Sequence, residues 1–294
     1  MRRSITFMTA PKILTFFSLA CVFTASVIAQ PQNPSPMVEH TREHPRLAEV
    51  HPEGRREKLA EGTLFIPAVL KGQSAASLLV FLHGGAWLPE VIASQRGMAV
   101  LTIQRSTPYA DMFAQASSFA TIMKTASSTA GLRWSTVTLA GWSAGCGGIR
   151  EILRAAESVA VVDEVLLIDG VHTSYIHDKP GPLESEIDTG KLSPFLAFAK
   201  LAAADKKRLL VTHSEIFPGT FASTTETADW LLHELSVPRR AILEWGPMKT
   251  QMLSEAASGS FRLIGFAGNA APDHVDQLHA LRELLDWLQH SKRQ

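Results

Sequence analysis

Two cysteines in 294 residues give this chain almost nothing to staple itself with. Cys21 lies in an N-terminal segment with the pattern of a removable signal, which leaves Cys146 alone. A single cysteine forms no internal disulfide, even in an oxidising compartment. An excess of charge of either sign is also missing: basic and acidic residues number 28 each. Such balance gives no electrostatic argument for a nucleic-acid partner. There is no internal repeat and no metal-ligand spacing, so a solenoid and a metal centre drop out. A long enough apolar run is lacking as well. Residues 13–28 are short for a membrane span of about 20 residues.

That apolar run follows Arg2, Arg3 and Lys12, and it ends at Val27-Ile28-Ala29, a small-residue cleavage pattern. Polar, Pro-rich sequence comes next. Residues 1–29 therefore read as a signal peptide with Gln30 as the mature start, the alternative being an uncleaved anchor. Export is expected, periplasmic or secreted in a bacterium, with no stable membrane span after cleavage. Residues 30–61 are Pro-rich and charged and read as an extended lead-in with a short helix near 55–59. The histidines there (His40, His44, His51) are too scattered for a metal site and read as solvated surface.

From Gly62 the pattern is regular. Residues 63–66, 78–82, 98–103, 136–140, 165–168, 209–212 and 263–266 are apolar, largely β-branched runs, as expected of buried strands. Residues 111–130 predict a helix with Phe113, Ala116, Phe119, Ala120 and Met123 on one stripe, and 194–204 predict another. Residues 275–289 predict an amphipathic closing helix with Leu278, Leu281, Leu285 and Leu288 inward. Alternating strands and helices predict an α/β fold with a mainly parallel central sheet covered on both faces. Residues 62–294 are long enough for one such domain.

Gly141-Trp142-Ser143-Ala144-Gly145 carries the chemistry. It reads G-x-S-x-G between a predicted strand and a helical run marked by Ile149, Ile152, Leu153 and Ala156. Strand, tight turn and helix are the setting a nucleophile elbow needs, with the Ser143 hydroxyl raised above the sheet edge. Upstream, His83-Gly84-Gly85-Ala86-Trp87 directly follows the strand at 78–82, and paired glycines let backbone N–H groups approach a ligand. Cys146 reads as a small packed residue, because Ser143 holds the elbow position.

This order of parts resembles the α/β-hydrolase superfamily of serine esterases and lipases over roughly residues 62–289. The resemblance implies oxyanion donors at Gly84 or Gly85 and at Ala144, and a triad in the order serine, acid, histidine. His274, in the loop after the last predicted strand, is the expected base, ahead of His279 within the helix. His83, His172 and His213 follow strand ends and are candidates to line the cleft, His83 being read first as a structural hydrogen-bonding residue within the Gly-Gly loop. Two acids stay open: Asp169 after the strand at 165–168, and Glu215 after the next strand, where an Asp is more usual. Trp87, Trp142, Tyr175 and Phe217 are candidates for an apolar substrate pocket, and residues 169–208 for a cap over the site. The expected activity is cofactor-free cleavage of a small or polymeric carboxylic ester by an exported serine hydrolase, falling toward acidic pH as the base takes a proton. The same residues would serve an amidase, peptidase or carbohydrate deacetylase, and a catalytically silent binding protein is the reading outside enzymes.

Overall fold

The computed structural model describes residues 44–105, 108–181 and 185–290, all within the second of two compact units, residues 33–294. The proposed signal at 1–29, the mature start at Gln30 and His40 lie outside the described residues. Ten strands form one sheet: β1 (Gly54–Lys58), β2 (Thr63–Pro67), β3 (Ala75–Leu82), β4 (Ala99–Ile103), β5 (Arg133–Trp142), β6 (Glu164–Ile168), β7 (Arg208–His213), β8 (Arg240–Trp245), β9 (Gln251–Ser258) and β10 (Phe261–Phe266). Their order is β1-β2-β4-β3-β5-β6-β7-β10-β9-β8. The six strands from β4 to β10 in that order run parallel, while β1, β2, β8 and β9 pair antiparallel at the two ends.

The central strands are apolar on both sides because both sides are covered. In β3, Leu78, Val80 and Leu82 enter one core, while Leu79 and Phe81 enter the other. The helices are α1 (Trp87–Arg96), α2 (Tyr109–Met112), α3 (Ser118–Ala130), α4 (Gly145–Leu153), α5 (Ala156–Val161), α6 (Ser193–Ala203), α7 (Thr224–Leu235), α8 (Ala271–His279) and α9 (Leu281–Gln289). Residues from α3, α4, α6 and α7 join the first core, and residues from α1, α8 and α9 the second. Each fully buried Leu, Ile or Phe contributes about 1.5–3 kcal/mol. The chain runs from β3 outward to β4, then returns to β5 on the other side of β3. Such a reversal opens a crevice at the carboxyl ends of the strands, where ligands of open α/β sheets bind.

Four expectations are corrected. Residues 55–59 are not helical: β1 lies there, antiparallel to β2. Arg56 anchors it through an ion pair with Glu90 at 2.6 Å and by lying 4.5 Å over the Phe65 ring. The helix expected over 111–130 is broken, with α2 and α3 flanking residues 113–117, and the buried stripe is Phe119, Ile122, Met123 and Ala126, while Ala116 and Ala120 face solvent. Phe113 and Phe119 are six residues apart, off one helical face, so the break lets both reach the core. The closing helix is interrupted at Ala280, although its predicted inward leucines are all buried. Finally, α6 is no cap: Phe195, Phe198, Ala199 and Ala202 pack into the first core.

Candidate active site

Three adjacent strands bring the candidate residues to one sheet edge. His83, Ser143 and Asp169 are the first residues after β3, β5 and β6, and each has positive φ, at 67°, 53° and 42°. Non-glycine residues pay about 1–3 kcal/mol for such backbone, which persists where the surroundings over-determine it. Here the surroundings are tight. A Cβ on Gly145 would meet the Leu82 carbonyl oxygen at 2.0 Å, and one on Gly170 would meet the Ser143 carbonyl oxygen at 2.2 Å. The ladder continues through the turns: Ser143 N–H donates to Ile168 O at 3.1 Å, and Asp169 N–H to Thr212 O at 3.0 Å.

His274 lies in the first turns of α8 and donates from Nδ1 to Asp169 Oδ2 at 2.7 Å. An ionised carboxylate only accepts, so the neutral ring carries its proton on Nδ1 and leaves Nε2 as a base. Asp169 is 2% exposed. It also accepts from Ser214 N–H at 2.8 Å, from Ser214 Oγ at 2.8 and 3.0 Å, and from Thr224 Oγ1 at 2.9 Å. Burial opposes its charge, yet the bonds from His274 and Ser214 prevail and hold the carboxyl below its ordinary range. Glu215, the other candidate acid, is elsewhere: its carboxylate is about half exposed and sits 3.9 Å from Nδ1 of His213. The structure therefore pairs Asp169, not Glu215, with His274.

Ser143 Oγ, at the tip of the elbow, forms no hydrogen bond among the described residues. A serine–histidine contact is often long before substrate binds and tightens in the reacting complex. Gly84 N–H donates to Gln104 Oε1 at 2.9 Å and is thereby committed, which removes it as an oxyanion donor. Among the described residues the N–H groups of Gly85 and Ala144 meet no acceptor, and both residues are exposed. Ala144 is also the N-cap of α4, where the helix dipole favours negative charge.

The aromatic candidates separate. Tyr175 is core, 2% exposed, with its hydroxyl donating to Glu226 at 2.9 Å. It is removed from the pocket, whereas Phe217 is 62% exposed. Trp87 starts α1 and packs 5.8 Å from the His279 ring. Trp142 packs against the rings of both His274 and His83. His172 is half-buried against Phe221, while His213 is fully buried. Cys146 is buried with Sγ 3.1 Å from Gly141 O, and burial pushes its thiol well up, so it is inert packing.

Several contributors escaped the sequence reading. Ser214 and Thr224 bind the carboxylate, and Gln104 holds the Gly-Gly loop. The lead-in contributes too: His44 Nδ1 and Arg46 Nε donate to the buried Asp276 of α8 at 2.6 and 2.8 Å, and Arg46 reaches Pro272 O. His44 is thus not solvated surface. Only Ser214 carried a signal, being the polar residue just past the strand where an acid was sought. Among the described residues no group of three or more His, Cys, Asp or Glu is placed to hold a metal ion, and no helix is long and apolar enough to cross a membrane.

No protein-family model matches the chain, and no curated protein does either. Solved structures do. The chain is similar to a Pyrobaculum calidifontis esterase, with TM-score 0.51 and 13% identity over 82% of this chain and 86% of that one. An acetyl xylan esterase from Aspergillus awamori aligns at TM-score 0.47 and 12% identity, over 79% of this chain and 99% of that one. A Pyrococcus horikoshii acylaminoacyl peptidase aligns at TM-score 0.47 and 14% identity, over 82% of this chain and 42% of that one. At such identity a likeness speaks for fold, and the first match carries it: the chain has the α/β-hydrolase fold.

Proposed function

We propose that the protein is an exported serine hydrolase that cleaves carboxylic esters through an acyl-enzyme, with Ser143 as nucleophile, His274 as base and Asp169 as acid. The observation that carries this reading is the 2.7 Å Asp169–His274 bond, made by a desolvated carboxylate at the end of the strand next to the one that carries Ser143, whose backbone is held at positive φ. Ser143 Oγ attacks the acyl carbonyl while Nε2 of His274 takes its proton. Asp169 holds the ring in the Nδ1–H tautomer and stabilises the imidazolium. The oxyanion falls to the N–H groups of Gly85 and Ala144, each worth roughly 3 kcal/mol in the transition state. His274 then protonates the departing alcohol, and water, deprotonated by the same ring, releases the acid. No step calls for a cofactor. Phe217, Trp87 and Trp142 remain the apolar candidates for contact with substrate.

The ester preference draws on the Pyrobaculum calidifontis match, named an esterase. The test is hydrolysis of short p-nitrophenyl esters together with labelling by a fluorophosphonate. Both should disappear in Ser143→Ala, and equal activity in that variant and the wild type refutes the proposal. Amide and acetylated-sugar substrates assayed alongside rank the acyl transfers. Export is tested by N-terminal sequencing of protein recovered outside the cytoplasm, with Gln30 expected first.

A further inference from the structure

The residue before the candidate nucleophile touches the candidate base twice. The Trp142 ring centroid lies 4.6 Å from that of His274, with the planes 30° apart. Its indole Nε1–H donates to the His274 backbone carbonyl at 3.0 Å. The same indole stacks on His83 with centroids 5.6 Å apart and planes at 23°. One side chain at the end of β5 therefore ties the elbow to the base and to the first residue of the Gly-Gly loop. The face of an aromatic ring carries negative potential and attracts a cation within about 6 Å of its centroid. His274 becomes such a cation whenever it holds the Ser143 proton.

We propose that Trp142 is a positioning residue for His274 that also stabilises its imidazolium form, so that the indole, beside Asp169, sets how readily the ring holds a proton. The proposal rests on the reading of His274 as the base of Ser143 only for its effect on turnover. The other groups around the ring leave this role open. Asp169 acts at Nδ1. His83 and His172 lie near enough for charge on His274 to disfavour charge on them, and burial depresses both. On α8 the neighbouring groups are engaged elsewhere: Asp273 accepts from Ala270 N–H, Asp276 from His44 and Arg46, and His279 from Leu47 N–H.

The test follows the His274 imidazole by NMR against pH in the full chain, which needs no turnover. In Trp142→Leu the titration midpoint should move to lower pH by about half a unit or more. The acid limb of kcat/KM should move with it, and the plateau kcat should fall about threefold or more. Trp142→Phe keeps a ring face and should recover most of the midpoint while losing the carbonyl bond. A merely structural role would lower kcat in both variants and leave the midpoint still. An unchanged midpoint in folded Trp142→Leu overturns the proposal. If that variant does not fold, tetrafluorotryptophan at position 142 keeps the shape and weakens the ring face: a downward shift supports the proposal and none overturns it. A wild type that hydrolyses no ester and takes no fluorophosphonate would remove the serine-hydrolase reading, and the titration would still decide the role of Trp142.

Discussion

At Asp169, bonds from Ser214, Thr224 and His274 converge on a carboxylate that is almost wholly out of water. Removing its charge should do more than remove one contact. Asp169→Asn keeps the shape but can present an amide N–H to the ring and favour the wrong tautomer, so kcat should fall by about 10³–10⁴. Glu215→Gln should stay within about twofold of wild type, as expected of a substitution outside such networks. Steady-state kinetics on one p-nitrophenyl ester compare the two, and the reverse ranking would move the acid to Glu215. Ser214→Ala removes the hydroxyl that spans both carboxylate oxygens but keeps the backbone donor. Hydrogen bonds to charged groups are worth about 1.5–3 kcal/mol, and a loss of unfolding free energy in that range is expected in urea titrations, with kcat reduced less than in Asp169→Asn.

Among the elements, α8 carries His274, and it is held from outside the sheet. Asp276 is fully buried on this helix, with His44 and Arg46 as partners from a segment that precedes β1. Breaking one half of a buried ion pair leaves an uncompensated charge and costs about 3–5 kcal/mol when both partners are deep. Arg46 is one-third exposed, so less is expected here. Arg46→Ala together with His44→Ala should lower stability by about 2–3 kcal/mol and reduce kcat as α8 loosens. Thermal denaturation and kcat on the same samples measure both, and an unchanged melting temperature would show the strap to be idle. This contact was not legible in the sequence: residues 30–61 are poor in large apolar side chains, and pairings more than 200 positions apart leave no local pattern. β1 was hidden for a related reason, since Arg-Arg-Glu-Lys has no strand alternation and is fixed by β2, Glu90 and Phe65. β8 and β9 lie at the sheet end, where exposure dilutes the apolar signal that marked the central strands. Those central strands were readable because burial on both faces writes continuous Val, Leu and Ile runs. The elbow was readable because its glycines leave no room for a Cβ, which would meet neighbouring backbone at 2.8 Å from Gly141 and at 2.0 Å from Gly145. The choice between Asp169 and Glu215 was not, because both follow strand ends and only the third dimension says which one meets His274.

For the whole molecule, acid stability depends on groups the reaction does not use. His213 ends β7 and is 1% exposed. Its Nε2 accepts from Arg239 at 2.8 Å, so its proton sits on Nδ1, facing Ser214 O and Thr225 Oγ1. A second proton would be buried against a guanidinium. Burial and then the Arg239 charge push its pKa down to about 4, from an ordinary value of 6.5. The unfolded chain therefore binds a proton in this window that the folded chain refuses, and stability falls as pH drops from 6.5 to about 4. The loss is roughly 3 kcal/mol at 1.36 kcal/mol per unit. Asp169 acts in the same direction lower down. Its folded pKa is depressed, so its contribution is complete above the ordinary carboxyl value and is lost as pH falls through the folded one. The two windows adjoin, and stability should decline continuously from near neutrality into strong acid. Urea unfolding at pH 7 and pH 4.5 measures the upper window separately from the lower. His213→Gln, which keeps hydrogen-bonding capacity without a titrating ring, should be less stable than wild type at pH 7 and should flatten the decline between pH 6.5 and 4.5. An equally steep decline in that variant would assign the acid sensitivity to other groups, with His83, His172 and His279, all depressed by burial, next in line.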